Sequence, residues 1–225
     1  MAQIPDPPTF ATQVGAEFLM SESRNVVLAS ASPSRKRLLD SSGISAEVII
    51  SGVDEEDPKL TALAPREMVI ALAILKAHTV KNLVGNEHLI IGCDSTFEFN
   101  GKSFGKPMTP ELATARCKEL RGNFGYLHTG HCIIDTKQGI EISDVSTSKV
   151  FFADMTDAEI AGYVATGEPL NVAGGFTLDG LSAPFISRIE GDPSGIIGLS
   201  LPLLRRAVNS LGLSWSAISN SAVNA

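Results

Sequence analysis

The sequence is poor in cysteine and has no long apolar run. Its three cysteines, Cys93, Cys117 and Cys132, are odd in number and form no CxxC pair, which fits a reducing compartment better than a disulfide framework. The first residues lack the basic start and apolar segment of a secretory signal. No stretch approaches the ~20 apolar residues that a membrane helix needs. These absences predict a cytoplasmic protein without a membrane partner.

Positive charge and aromatic side chains are also scarce. The chain has a formal net charge of -7, and aromatic residues make up 6% of it. An acidic protein repels nucleic-acid backbones and anionic membranes, and few aromatics leave little for bases to stack on. Nucleic acid is therefore not an expected partner, and any site for a polyanion must be a local basic pocket.

Apolar residues are plentiful enough for a full core. They make up 44% of the 225 residues, against 19% charged residues, which fits one large domain or two packed lobes. The weak periodicity of residues 1–24 predicts a flexible N-terminal arm, and the small polar residues 214–225 predict a loose C-terminal tail. The domain itself is expected over residues 25–213.

Short apolar runs alternate with amphipathic stretches along this domain. Asn100-Gly101 predicts a hairpin over 97–104, and Thr156 with Glu159 forms the pattern of a capping box. The other predicted strands are 26–29, 47–50, 89–93, 127–135, 141–152 and 185–189, and the predicted helices are 33–42, 65–80, 110–122, 156–164 and 201–211. This alternation predicts an α/β fold with an extended mixed sheet flanked by helices.

A phosphate site is indicated by LASASPSRKRLL at residues 28–39. A predicted strand runs into Ser30, Ser32 and Arg35 at the start of a helix. Backbone N–H groups at a helix N-terminus, together with hydroxyls and a guanidinium, bind phosphate well. Ordinary helix capping by serine explains the same pattern about equally well, and the chain has no Walker sequence.

Charged residues in the next two segments have a functional and an ordinary interpretation. SGVDEED at residues 51–57 follows a strand, and such an acidic run is usually a solvated loop; Glu55 could instead help to hold a hard divalent cation. Lys76 lies in an apolar helical stretch. A lysine there is most often a surface residue that extends its amine to water, and the alternative is neutralisation of phosphate.

Asp94 and Lys106 are the candidates in residues 90–107. An apolar strand delivers Asp94 and Ser95 at its C-terminal end, where sites of α/β sheets gather, and the hairpin returns Lys106-Pro107 toward the same region. A carboxylate and a lysine so placed suit activation of water for attack on phosphorus. Capping of a turn is the other interpretation of Asp94.

Two further features are ambiguous. His128 and His131 form an HxxH pattern, but residues three apart on a strand point to opposite faces, so a chelating pair is not expected. Residues 167–202 are dense in glycine and proline, which indicates sharp turns or close approach of backbone to a ligand. Asp179 and Ser182 in this segment are candidates for contacting a nucleobase.

Each of these segments is a weak signal by itself, but their occurrence together and in this order is specific to one family. LASASPSR, the strand-borne CDS, GKP, EPLNVAGGF and GLSLPLL resemble, in this order, the successive signature blocks of the Maf family, over about residues 25–211. The resemblance implies two lobes around a cleft, a fold similar to inosine-triphosphate pyrophosphatases, and hydrolysis of a nucleoside triphosphate to monophosphate and pyrophosphate. It also implies a divalent cation, Mg or Mn, a homodimer, clearance of modified or surplus nucleotides and a link to arrest of septum formation.

The resemblance also assigns roles to particular residues. Asp94 matches the catalytic aspartate and, with Glu55, the cation site. The phosphate-binding positions fall on Ser30, Ser32, Arg35, Lys76 and Lys106, and a position by which subfamilies differ falls on Asp179.

Other departures from the family pattern leave the base preference open between pyrimidine and methylated guanosine triphosphates. Ser34 stands where the family often has Arg or Trp, and Ser95 stands where Thr or Gln is usual. Three rival activities remain: a nucleotide-sensing module without turnover, a nucleotidyltransferase, and a phosphatase that removes the terminal phosphate.

Overall fold

The computed structural model describes residues 23–219 and contains a mixed seven-stranded sheet with helices on both faces. The strand order is β2-β1-β3-β5-β6-β7, and β4 pairs with β3 off this path. The strands are β1 Asn25–Ala29, β2 Ala46–Val48, β3 His88–Phe99, β4 Lys102–Phe104, β5 Phe124–Asp135, β6 Ile140–Phe152 and β7 Ile186–Glu190. The α/β class and the mixed sheet are confirmed, whereas the two-lobe arrangement stays a prediction.

Seven α-helices accompany these strands in the described residues. They are α1 Pro33–Ser41, α2 Pro58–Thr61, α3 Pro65–Lys81, α4 Pro110–Leu120, α5 Asp157–Ala165, α6 Pro193–Ile197 and α7 Leu201–Ser210. Five begin with proline, which suits the first turn of a helix because its missing N–H is not needed there. The capping box of α5 is confirmed, with Thr156 and Glu159 each bonding the other's backbone.

Strand directions decide where the sheet offers a site. β1 runs parallel to β2 and β3, and all the other pairs are antiparallel. Ala29, the last residue of β1, pairs with Gly92 of β3. Ser30, just after β1, and Asp94, two residues beyond Gly92 on β3, are therefore brought to the same part of the sheet.

The core lies on both faces of the sheet. On one face β1, β3 and β5 pack against α1 and α7 through Val26, Leu28, Leu39, Leu89, Ile91, Ile133, Leu204 and Val208. On the other face they pack against α3 through Val27, Ala29, Ala73, Ala77, Val80, Ile90 and Ile134. Both clusters are buried, so β3 is covered on both sides and its residues 89–93 are apolar.

Helix α3 lies unusually close to the sheet because glycines face it. A Cβ built on Gly92 would lie 2.3 Å from the backbone oxygen of Ala73, and one on Gly130 would lie 2.3 Å from that of Val69. Neither distance can be accommodated without moving backbone. The two glycines therefore fix the depth of α3, and with it the position of Lys76 relative to β3.

Gly92→Ala is expected to lower the free energy of unfolding by about 1–3 kcal/mol, because overpacking a filled core forces backbone shifts. Urea denaturation would measure this. Gly85→Ala is the matched control, since an added Cβ there meets no atom within 4 Å. Equal stability of the two variants would contradict the close packing of α3.

Some predicted boundaries were wrong because tertiary contacts extend the elements. The strand predicted at 89–93 and the first arm of the hairpin form one continuous strand, β3, and the hairpin turn itself is confirmed at Asn100 and Gly101, both with positive φ. The tail predicted to be loose from residue 214 instead packs on the core through Trp215, Ala217 and Ile218.

The N-terminal boundary also shifts. Arg24, placed at the end of the predicted arm, is buried and forms an ion pair with Asp135 at 3.2 Å. The rest of the arm, residues 1–22, and the last residues, 220–225, lie outside the described residues. Within residues 23–219 no helix has the length and apolar character needed to cross a membrane.

Candidate active site

A cleft of about 380 Å³ opens where β1 and β3 deliver their polar residues. Its walls come from the β1–α1 turn, residues 50–55 after β2, helix α3, the β3–β4 hairpin, and the glycine-rich segment after α5. The lining includes Ser30, Ser32, Ser34, Arg35, Glu55, Lys76, Asp94, Ser95, Lys106, Asn171, Thr177 and Gly198. Seven of the eight predicted site positions are thus brought together, and the exception is Asp179.

Arg35 is buried and its guanidinium ties together three parts of the wall. Nε donates to the carbonyl of Gly198 at 2.7 Å, and Nη1 donates to Ser30 Oγ at 2.8 Å and to the carbonyl of Cys93 at 2.9 Å. Nη2 donates to Ser95 Oγ at 3.0 Å. Because a guanidinium has five N–H donors, most are already engaged. Arg35 therefore supplies positive charge and a fixed wall more than free donors.

Lys76 lies at the centre of a charge cluster. Its Nζ is 2.7 Å from Asp94 Oδ1 and 2.5 Å from Glu55 Oε1. The lysine is 5% exposed, so its interpretation as a surface lysine is wrong. A lysine in an apolar helical stretch is most often at the surface, but the close approach of α3 to β3 buries this amine beside Asp94.

The two carboxylates of this cluster have different electrostatics. Burial raises the pKa of Asp94, and the nearby charges of Lys76 and Arg35 offset this rise only in part. At Glu55 burial also raises the pKa, but the hydrogen bond and charge of Lys76 and the charge of Lys106 outweigh it and hold the pKa below its usual range. Asp94 is consequently the more basic carboxylate and the better proton acceptor.

The donor set of the cleft fits a divalent cation completed by substrate. In the described part of the chain, no cluster of three or more His, Cys, Asp or Glu side chains is placed to hold a metal ion. Glu55 and Asp94 nevertheless converge on one point, the ammonium of Lys76. Mg²⁺ is usually bound by one or two carboxylates together with waters and substrate phosphates. A site that needs the substrate's own oxygens is consistent with these two carboxylates.

Lys106, Ser30 and Ser32 differ in how far their polar groups are already engaged with other residues, and therefore in what they can offer to an anion. Within residues 23–219 Lys106 forms no ion pair, and its amine is available to a phosphate. Ser30 Oγ accepts from the N–H of Ser32 at 3.2 Å and from Arg35. Ser32 caps helix α1 by accepting from the N–H of Arg35, so the capping interpretation is confirmed while both hydroxyls still line the cleft.

Asp179 lies just outside the lining. Its Oδ2 is 2.9 Å from Arg37 Nη2, and its Oδ1 accepts a hydrogen bond from Thr177, which does line the cleft. A base-contacting role for Asp179 stays a prediction. Ser182, the other candidate, is buried and bonds the backbone of Thr177.

The glycine-rich segment is held in place by a residue that sequence reasoning missed. The carboxylate of Glu168 accepts from the N–H groups of Leu181 at 2.9 Å and Ser182 at 3.2 Å, and from the hydroxyl of Tyr163 at 3.1 Å. Gly198, one of the glycines expected at a sharp turn or close backbone approach, has φ +131, and a Cβ there would lie 3.3 Å from Arg35 Nε. The density of glycine was the signal for this wall, but it identified no individual contact.

The side chains of His128 and His131 diverge, as their spacing predicts. His128 contacts Thr147 at 2.9 Å and Glu98 at 3.0 Å, whereas His131 Nε2 accepts from the N–H of Ser200 at 2.8 Å on the opposite face. His131 is fully buried. Its neutral ring therefore supports the start of α7 behind the cleft.

Acid is expected to destabilise the fold through His131. Burial, with the charge of Arg35, lowers the pKa of His131 to about 4, below the ordinary value of about 6.5. The stabilisation by the neutral ring is present above the unfolded pKa and is lost as pH falls toward the folded one, by roughly 3 kcal/mol in full. Urea unfolding against pH and NMR titration of the ring measure this, and titration of His131 near its ordinary pKa would contradict it.

Comparisons with known proteins agree with this arrangement. The family described as Maf-like protein matches residues 25–211. A nucleoside triphosphate pyrophosphatase of Streptomyces coelicolor is 53% identical over 191 residues, which cover 84% of this chain and 91% of the relative. One of Thermosynechococcus vestitus is 47% identical over 194 residues, covering 86% of this chain and 97% of the relative. The match spans every wall of the cleft, and the chain belongs to the Maf-like protein family.

Proposed function

We propose that this chain is a nucleoside triphosphate pyrophosphatase that hydrolyses a nucleoside triphosphate to the monophosphate and pyrophosphate. The observation that carries the proposal is the cluster of Lys76, Asp94 and Glu55, set beside Arg35 in one cleft. Relatives about half identical over most of the chain bear the name of this activity. The reaction is hydrolysis of the bond between the α- and β-phosphates.

Asp94 is the proton acceptor in this proposal. Water adds to the α-phosphorus, the bond from that phosphorus to the bridging oxygen breaks, and the proton of water passes to the carboxylate of Asp94. Pyrophosphate departs with the bridging oxygen and takes up a proton from solvent. A positioned general base contributes about 100- to 10,000-fold to rate, and its raised pKa suits Asp94 to this task.

Positive side chains stabilise the charge that develops on the departing pyrophosphate. Lys106 has no ion-pair partner among residues 23–219, Lys76 lies beside Asp94, and Arg35 contributes the charge of a fixed guanidinium. Transfer at phosphorus depends chiefly on positioning and electrostatics, which groups fixed in advance supply best. Ser30, Ser32 and the start of α1 add polar contacts at the same wall.

A divalent cation, Mg²⁺ or Mn²⁺, would supply polarisation of the phosphate oxygens and neutralisation of their charge when bound. Glu55 and Asp94 are the residues that would hold it. Because Asp94 also faces Lys76, the lysine keeps the two carboxylates together in the absence of substrate. Mg²⁺ or Mn²⁺ as the cation and a homodimer as the assembly are expectations carried over from the family resemblance. The resemblance leaves the base preference open between pyrimidine and methylated guanosine triphosphates.

Product analysis over a panel of nucleotides tests the proposed function. Purified protein with magnesium or manganese is incubated with standard and methylated nucleoside triphosphates, without any acceptor molecule. Monophosphate and pyrophosphate in equal amounts are expected. Orthophosphate with a diphosphate would identify a phosphatase instead, turnover only on addition of an acceptor would identify a nucleotidyltransferase, and binding without turnover would identify a sensing module.

A further inference from the structure

An ion pair joins helix α1 to the glycine-rich segment beside the cleft. Arg37 Nη2 is 2.9 Å from Asp179 Oδ2, and the same nitrogen donates to Ser34 Oγ at 2.9 Å. Asp179 in turn accepts from Thr177. Since Ser34 and Thr177 both line the cleft, one from each wall, the pair borders the cleft between them.

The groups assigned to phosphate chemistry leave this part of the cleft for the nucleoside. Phosphate and water are expected at Lys76, Asp94 and Lys106. The polar lining groups that remain include Ser34 and Thr177, which are the contacts of Arg37 and Asp179. These two charged side chains therefore hydrogen-bond directly to the wall on which the base would rest.

The charges at this wall cancel. Partial burial raises the pKa of Asp179, but the hydrogen bond from Thr177 and the hydrogen bond and charge of Arg37 outweigh it, so the carboxyl is ionised at neutral pH. An isolated carboxylate here would attract a base that carries a fixed positive charge. The guanidinium of Arg37, held at hydrogen-bond distance, removes that attraction and leaves a wall with no net charge.

We propose that Arg37 is a specificity-determining residue, which neutralises Asp179 so that the cleft selects nucleoside triphosphates with neutral bases over those with cationic, N-methylated bases. The inference rests on the proposed function, because it places a nucleoside triphosphate in this cleft. Arg37 touches no reacting atom in this scheme. Its effect is on the choice between substrates, and not on the chemical step.

The test compares substrates that differ by one methyl group and one charge. The pairs are guanosine and N7-methylguanosine triphosphate, and cytidine and N3-methylcytidine triphosphate. Arg37→Ala is expected to raise the ratio of kcat/KM for the cationic over the neutral member roughly three- to ten-fold, as for unit charges several Å apart near a protein surface. Asp179→Asn, which leaves Arg37 unneutralised, is expected to lower the ratio by a similar factor.

Two controls keep the result interpretable. Lys36→Ala removes a positive charge one residue away that pairs with Asp40 and not with the cleft, so it should leave the ratio unchanged. Arg37→Lys should restore most of the wild-type ratio by restoring the charge. Surface ion pairs contribute about 0–1 kcal/mol to stability, so all variants should fold with nearly equal melting temperatures.

The outcomes separate this inference from the proposed function. If the wild-type protein produces monophosphate and pyrophosphate but Arg37→Ala leaves both ratios unchanged, the role of Arg37 is overturned and the enzyme activity stands. If no nucleotide is turned over, the proposed function fails. Dissociation constants of the same four nucleotides from titration calorimetry then decide the role of Arg37, since the expected change in preference applies equally to binding.

Discussion

Asp94→Asn is expected to lower kcat about 100- to 10,000-fold, while nucleotide affinity changes by no more than a few-fold. The carboxamide has nearly the shape of the carboxylate but accepts no proton from water. Lys76 keeps its second partner, Glu55, at 2.5 Å, so the local arrangement should persist. Steady-state kinetics with the best nucleotide of the panel measures kcat, and titration calorimetry measures affinity.

Asp54→Asn is the matched control for this variant. Asp54 is an exposed member of the acidic run at residues 54–57 and caps a turn through the N–H of Glu56. Its replacement should leave kcat within about two-fold of wild type, as for surface changes away from the site. If Asp94→Asn lost affinity as severely as turnover, Asp94 would be mainly a cation anchor and not the proton acceptor.

The pH dependence of the wild-type enzyme should report the same group. A general base acts only when it is deprotonated, so kcat/KM falls as pH drops through the pKa of the free enzyme's base. Because burial raises the pKa of Asp94, this loss is expected at a higher pH than an ordinary aspartate would give. An acidic limb at the usual aspartate pKa would contradict the assignment of Asp94 as the base.

Lys76→Met is expected to lower the free energy of unfolding at neutral pH by about 3–5 kcal/mol, the usual cost of removing one partner from a buried ion pair. Methionine fills much of the same volume but leaves Asp94, which is 7% exposed, without its counter-ion. Turnover should fall as well, because the ammonium no longer stabilises charge on the phosphates. Urea denaturation and steady-state kinetics measure the two effects.

Acid should reverse the instability of Lys76→Met. A buried, unpaired Asp94 has a folded pKa above its unfolded value, so its protonation favours the folded state at low pH and this advantage is lost as pH rises through the folded pKa. The deficit relative to wild type should therefore shrink as pH falls. Lys81→Met, on the exposed end of α3, is the control. A deficit that stayed constant with pH would show that lost packing, and not charge, is responsible.

Features that depend on a few neighbouring residues could be predicted from the sequence. The Asn100-Gly101 hairpin and the Thr156–Glu159 capping box follow from the dihedral angles and hydrogen bonds that these residues favour locally, and both are present. Pro33 marked the start of α1 for the same reason. Ser30, just after β1, and Asp94, just after the apolar run of residues 89–93, could be expected to meet, because polar residues that follow apolar strand segments gather at one edge of a sheet.

Features set by contacts between distant segments could not be predicted from the sequence. The apolar stretch around Lys76 favours an exposed amine, and only the approach of α3 to Gly92, which no local pattern reveals, buries it. Arg37 and Asp179 are 142 residues apart, and nothing in either local sequence indicates that they pair. Packing of Trp215 on the core is likewise a long-range contact that composition alone did not reveal.

Hydrolysis in water labelled with ¹⁸O tests the central claim most directly, which is that water attacks the α-phosphorus. The best nucleotide of the panel is converted in labelled water, and the two products are separated and analysed by mass spectrometry. We expect the label in the nucleoside monophosphate and none in the pyrophosphate. Label in the pyrophosphate would mean attack at the β-phosphorus and would contradict the arrangement of the cleft proposed above.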